Sequence, residues 1–274
     1  MPSASPISSA KPTLLVFDID GTLTQTKDLD DSLYLNAIQV VMGLSGFDSD
    51  WANYPHATDS GLVTEIPLRC RGTPATPAEQ AAVKDHFLRH LEAAANPAPP
   101  QSGPIREVPG AINLIATLRQ APTRYQIAIA TGAWRRSGEI KLQSAFIPYH
   151  GLPLATADDA VSRADITRTA IARALDHAKH SVHPSDPSLL AQAHSQFNGI
   201  VYIGDGKWDA RTSLGLHLGF IGLRIHGDFH TLTSEGARIV LQNYTNPDAF
   251  FAAADSEARV SVTHAAQRVP AKTN

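Results

Sequence analysis

The stretch LLVFDIDGTLTQT, Leu14 to Thr26, decides how the rest of the chain is read. Four apolar residues, Leu14 to Phe17, follow Pro12, and Gly21 ends the run, so the segment reads as a short buried strand. A carboxylate inside such a strand is costly unless it is paired. At the strand's carboxyl end it faces instead the crevice in which open α/β sheets bind ligands. Asp18 and Asp20 lie two residues apart, and strand side chains repeat every second residue, so both point to one side. Two readings stay open for the pair: a metal site or an acid–base couple.

Composition narrows the setting. A chain of 274 residues with 43% hydrophobic content can build a substantial core. A net charge of −3 supplies no basic stripe for nucleic acid. The single cysteine, Cys70, excludes an internal disulfide and suits a reducing compartment. No apolar run approaches the roughly 18 residues of a membrane span, and MPSASPISSAKP lacks the order of a signal peptide. The expectation is a soluble cytoplasmic protein that binds neither nucleic acid nor membrane; oligomeric state is unreadable.

Working outward, residues 1–10 are rich in Ser, Pro and Ala and read as a loose tail, as does the polar stretch 256–274. NPAPPQSGP, Asn96 to Pro104, has four prolines in nine residues and breaks any helix. Between the first strand and this break, helical patterns run over about 31–43, with Leu33, Ala37, Val40 and Val41 on one face, and over 77–95, where Thr76 caps and Pro77 takes the first position. After the break, strands are expected at 125–130, 199–203, 220–225, 238–241 and, more weakly, 151–155. Helices are expected near 109–120, 133–145, 163–178 and 207–216. Such alternation argues a parallel sheet covered on both faces. The fold class is therefore α/β: a doubly wound, Rossmann-like core (11–26 and 104–255) with an inserted α-helical cap plus linker (27–103). A polar insertion, His180 to Phe197, interrupts the second half.

Three further segments end predicted strands with polar residues. In IAIATGAWRRSGEIKL, Thr131 and Gly132 close a strand just before a helix, where free N–H groups form a natural anion site. In SRAD, Ser162 caps a helix and Arg163 falls in its first turn. In IVYIGDGKWDARTS, Asp205 and Asp209 follow a strand in a Gly-flanked loop. Each alone is explained by turn or cap chemistry. Together, at strand ends that converge on one crevice, they point to a single site.

FDIDGTLT and GDGKWD, with Thr131 and Arg163 between them, resemble the motifs of the haloacid dehalogenase-like hydrolase superfamily. The likeness is greatest to the phosphoglycolate-phosphatase-like branch, whose helical cap lies between the first and second motifs. The resemblance spans about Thr13 to Ala254 and implies a Mg²⁺-dependent phosphoric monoester hydrolase acting on a small phosphorylated metabolite. It makes Asp18 the nucleophile that forms an aspartyl-phosphate. Asp18 and Asp205 would hold Mg²⁺ through carboxylates and Asp20 through its backbone carbonyl, with Asp209 ligating or backing them. Asp20 would also be the acid–base partner. Thr131, Gly132 and Arg163 would hold the phosphoryl oxygens, with Lys141 the alternative to Arg163 as the fixed cation. A phosphomutase on the same scaffold and a receiver-type signalling module are the alternatives; Asp20 and the insertion after Asp18 argue against the latter.

Substrate choice is expected in the lid. NYPHATDSG places Tyr54, His56, Thr58, Asp59 and Ser60 within seven residues, a supply of hydrogen-bonding groups for a polar leaving group. A capped helix start, with Thr58 or Asp59 as cap, explains the same residues equally well. His86/His90 and His226/His230 have helical spacing but no third ligand, so neither pair reads as a zinc site. Trp134 and Trp208 read as core residues beside the loops they follow.

Overall fold

The computed structural model describes residues 11–96 and 103–266 of the chain. The expected tail at 1–10, the centre of the linker at 97–102 and the end of the chain from 267 lie outside the described residues. In chain order the elements are β1 (Thr13–Phe17), α1 (Lys27–Met42), α2 (Asp59–Arg71), α3 (Pro77–Ala95), α4 (Ala111–Gln120), β2 (Tyr125–Ala130), α5 (Arg135–Ser144) and β3 (Leu154–Ala155). They continue with α6 (Arg163–His177), α7 (Leu189–Gln196), β4 (Ile200–Gly204), α8 (Lys207–Leu216), β5 (Gly219–Leu223), α9 (His230–Thr233), β6 (Ile239–Leu241) and α10 (Pro247–Ala266).

The six strands form one parallel sheet in the order β3-β2-β1-β4-β5-β6. The chain winds outward from β1 to β3 on one side, then restarts at β4 on the other. The carboxyl ends of β1 and β4 therefore flank the switch point at which such sheets bind ligands. Every residue of β1 is buried, because helices cover both faces. Leu15 and Phe17 pack with α4 and α10, while Leu14 and Val16 pack with α6, α7 and α8. Among the described residues no helix is long and apolar enough to cross a membrane.

α1, α2 and α3 enclose an apolar centre of Tyr34, Ile38, Ile66, Val83, Phe87 and Leu91. Trp134, at the start of α5, enters it from the core, its ring 5.8 Å from those of Tyr34 and Phe87.

The sequence reading is corrected at four places. The buried side of α1 carries Tyr34, Ala37 and Ile38, with Leu33 and Val41 partly buried beside them, whereas Val40 of the expected face turns outward at 60% exposure. The lid has a further helix, α2, hidden in the sequence by Gly61 and by Pro67 within it. The 180–197 insertion contains α7, whose Leu189 and Ala193, followed by Phe197, are buried at four-residue spacing. The expected tail from 256 is instead helical through Ala266. Glu257 and Ser261 of α10 are buried, and accept the backbone N–H groups of Phe220 and Ile200. Polar residues there face backbone rather than water, which is why the stretch lacked an apolar period.

Candidate active site

Asp18 follows β1, Thr131 follows β2 and Asp205 follows β4, so three neighbouring strands deliver their polar ends to one place. Gly21, at φ +72°, turns the chain tightly after β1; a Cβ there would lie 2.3 Å from Asp205 Oδ2. That closeness lets the first loop lie against the fourth strand's end.

Asp18 is 2% exposed, and its Oδ1 lies 3.2 Å from Arg163 Nη1. The same guanidinium nitrogen donates to Asp209 Oδ1 at 2.9 Å. Asp209 Oδ2 accepts the Gly206 N–H at 2.9 Å, so both of its oxygens are engaged. Burial is the largest influence on all three carboxylates. It raises Asp18 against the pull of Arg163, raises Asp205 to about 6 against Lys27, and raises Asp209 to about 8 against Arg163. Burial alone would lower Arg163, but Asp18 and Asp209 outweigh it and hold the guanidinium charged.

One oxygen from each of Asp18, Asp205 and Asp209 lies within 4.8 Å of the others, the one such ligand group among the described residues. Asp18 Oδ1 is buried without a hydrogen bond. A buried set of carboxylate oxygens, short of positive charge, fits a hard divalent cation. Asp18 and Asp205 are the freer pair, since Asp209 is already tied to Arg163 and the Gly206 loop.

Asp20 is held separately. Thr26 Oγ donates to its Oδ1 at 2.6 Å, and Lys141 Nζ lies 2.8 Å from Oδ1 and 2.9 Å from Oδ2. Lys141 also pairs with Asp30. Of the two candidate cations, Arg163 is the one beside Asp18; Lys141 stands behind Asp20. Thr131 is fully buried beside Asp18, and its Oγ accepts the Ala133 N–H at 3.2 Å.

A cavity of ≈ 60 Å³ lies between core and lid. Asp18, Asp20, Gly132, Arg163, Asp205 and Trp208 form its core side; Asp30, Asp31, Tyr34, Trp51, Thr58 and Asp59 form its lid side. Of the five lid residues expected from sequence, only Thr58 and Asp59 reach it. Thr58 caps α2, accepting the Gly61 N–H at 3.1 Å and donating to Val161 O at 2.7 Å. Asp59 Oδ2 accepts the Trp134 N–H at 2.8 Å, and burial pushes its carboxyl up to about 7. Ser60 Oγ donates to Ala157 O at 2.8 Å, and the Tyr54 hydroxyl donates to Asp48 O at 2.7 Å; both are committed to backbone partners away from the cavity. His56 is exposed in an adjoining groove of ≈ 450 Å³.

Sequence reading missed Lys27, Asp30, Asp31 and Tyr34, which all line the cavity. Their spacing of i, i+3, i+4 and i+7 was the available signal, a polar stripe on the first two turns of α1. Trp134 is a core residue, whereas Trp208 lines the cavity. His86 and His90 stack at 4.2 Å, and His86 bonds Asn36 at 2.9 Å.

No protein-family model matches the chain, and no curated protein matches it in sequence. Solved structures do match its fold. A hydrolase from Pseudomonas syringae superposes with a TM-score of 0.59 at 18% identity, over 88% of this chain and 98% of that one. CbbY from Rhodobacter sphaeroides, solved with phosphate, gives 0.57 at 20% identity, over 85% and 95%. A haloacid dehalogenase-like family hydrolase from Streptococcus pneumoniae gives 0.53 at 14% identity, over 89% and 100%. The chain has the fold of the haloacid dehalogenase-like hydrolases, an α/β core with a parallel six-stranded sheet.

Proposed function

We propose that the protein is a Mg²⁺-dependent phosphatase of the haloacid dehalogenase-like type, hydrolysing a small phosphate monoester through an aspartyl-phosphate. The observation that carries this reading is the division of labour at the end of β1. Asp18 is buried beside Arg163 and Asp205, whereas Asp20 is partly open to the cavity and held by Thr26 and Lys141. Such a pair suits one carboxylate that attacks and one that moves a proton. A hydrolase of the same fold, and CbbY of the same fold solved with phosphate, support the class.

In this reading an oxygen of Asp18 attacks phosphorus, and the bond from phosphorus to the ester oxygen breaks. Asp20 protonates the departing oxygen, so an alcohol leaves rather than an alkoxide. Asp20 then takes a proton from the water that attacks the aspartyl-phosphate, restoring Asp18 and releasing phosphate. Thr131, the Gly132 N–H and Arg163 hold the phosphoryl oxygens. Mg²⁺, held by Asp18, Asp205 and the Asp20 carbonyl, would supply the positive charge that lets a carboxylate approach a phosphate dianion. Asp209 keeps Arg163 and the Gly206 loop in register. The small cavity between core and lid favours a small ester.

The test is phosphate release from a panel of small phosphate esters, with Mg²⁺ or with chelator, for the native chain and Asp18→Asn. Metal-dependent release that falls by at least about 10³-fold in the variant is expected, since the covalent route is then closed. Release that survives in Asp18→Asn would rule out Asp18 as the nucleophile.

A further inference from the structure

We propose that Lys141 and Asp30 are positioning residues for Asp20, one from the core and one from the lid, and that together they fix the carboxyl group that protonates the departing alcohol. The inference rests on the reading of Asp20 given above.

Lys141 lies in α5 with its side chain wholly buried. An ammonium taken out of water is costly unless each of its N–H groups finds an acceptor. Lys has three such donors, and three carboxylate oxygens surround its ammonium: Asp20 Oδ2, which accepts a hydrogen bond at 2.9 Å, Asp20 Oδ1, ion-paired at 2.8 Å, and Asp30, ion-paired from the lid. With Thr26 Oγ also on Oδ1 at 2.6 Å, the Asp20 carboxylate is gripped on both oxygens and cannot rotate without breaking bonds to two elements. Lys141 is absent from the cavity wall, whereas Asp20 and Asp30 form part of it. Lys141 therefore acts on a substrate through the two carboxylates that it holds, of which Asp20 is the one beside Asp18 in the chain. Arg163, by contrast, stands directly at Asp18.

Asp30 belongs to the first turn of α1, in the lid, and α5 belongs to the core. The chain Asp30–Lys141–Asp20 thus crosses the seam between them. Losing Asp30 leaves the ammonium with one acceptor fewer and free to shift, and Asp20 shifts with it.

A positioning role makes a prediction that a merely structural role does not. Protonating the leaving oxygen matters for an alkyl ester, whose alkoxide is a poor leaving group, and little for p-nitrophenyl phosphate, whose phenolate departs unaided. kcat/KM, which covers steps through departure of the alcohol, is measured with Mg²⁺ for glycerol phosphate and p-nitrophenyl phosphate. The proteins compared are the native chain, Lys141→Met, Asp30→Ala and, as a benchmark, Asp20→Asn. Positioned acid help is worth about 10²- to 10⁴-fold. Lys141→Met should therefore lose at least about tenfold more on the alkyl ester than on the aryl ester, and Asp30→Ala should lose in the same sense by less. If Asp20→Asn shows that gap and every folded positioning variant loses equally on both esters, the proposal is overturned and the phosphatase reading stands. If Asp20→Asn shows no gap, the acid role of Asp20 falls and the proposal falls with it. Should Lys141→Met fail to fold by circular dichroism, Asp30→Ala, which keeps the Lys141–Asp20 pair and removes only the lid-side carboxylate, decides alone.

Discussion

At the scale of single residues, Asp59 shows what the site costs the fold. It is 6% exposed, and burial, the largest influence, pushes its carboxyl up to about 7 despite Lys141 nearby. The folded state therefore binds the Asp59 proton more tightly than the unfolded chain, where the group titrates near 3.8. Between these values the folded state holds more protons, so stability falls as pH rises from about 4 to about 7. Asp59→Asn keeps an oxygen for the Trp134 N–H and removes the titration. Urea unfolding in chelator at several pH values should show the native chain losing stability relative to the variant across that window; a difference independent of pH would refute it. The residues around Asp18 were legible because Asp18, Thr131 and Asp205 each follow a strand and Arg163 and Asp209 open the helices that come next, where local sequence signals strand, turn and cap together. Lys141 was read only as the alternative to Arg163. Its burial and its pairing with Asp20 were not legible, because nothing local marks a helix lysine as buried and its partners come from Asp20, about ten dozen residues upstream in the chain, and from the lid.

At the scale of elements, the seam between lid and core depends on the start of α2. The Asp59 N–H donates to Gly132 O at 2.8 Å, Thr58 Oγ to Val161 O at 2.7 Å and Ser60 Oγ to Ala157 O at 2.8 Å. Three consecutive residues thus tie one helix end to the loops after β2 and β3. Thr58→Ala removes the cap for the Gly61 N–H and the donor to Val161 O; loss of a cap alone is worth about 1 kcal/mol. Amides of α2 should then exchange with solvent roughly five-fold faster or more, while those of α3, capped by Thr76 and Glu79, stay unchanged. Equal acceleration in both helices would mean that the lid opens as one body and that Thr58 is not its local anchor. The sequence permitted both readings of this stretch, capped helix start and substrate contact, and the structure divides them by residue. α3 was legible to its ends because capping box and N1 proline coincide with an apolar period, whereas α2 carries Gly61 and Pro67 and sends its signal through tertiary contacts.

At the scale of the whole molecule, the sheet is closed at its base by the last helix. Glu257 accepts the Phe220 N–H at 3.2 Å and Ser261 accepts the Ile200 N–H at 3.2 Å. Gly219 and Gly199 lie so close to α10 that a Cβ on either would fall within 2.6 Å of its backbone. These contacts are at the amino ends of β4 and β5, opposite the ends that carry Asp205, so they support the site without touching it. Ending the chain after Asp255 would leave two buried N–H groups without their α10 acceptors, each worth about 1–3 kcal/mol, and would remove Ala258 and so uncover Gly199. That sum is a large share of the 5–15 kcal/mol that holds a typical domain together. The truncated chain should unfold at markedly lower urea concentration than the native chain, with loss of phosphate release following loss of structure. A truncation ending at 266 keeps every described contact of α10 and should match the native midpoint. If the chain ending at 255 also matched it, α10 beyond that residue would be an ornament of the sheet rather than its closing element.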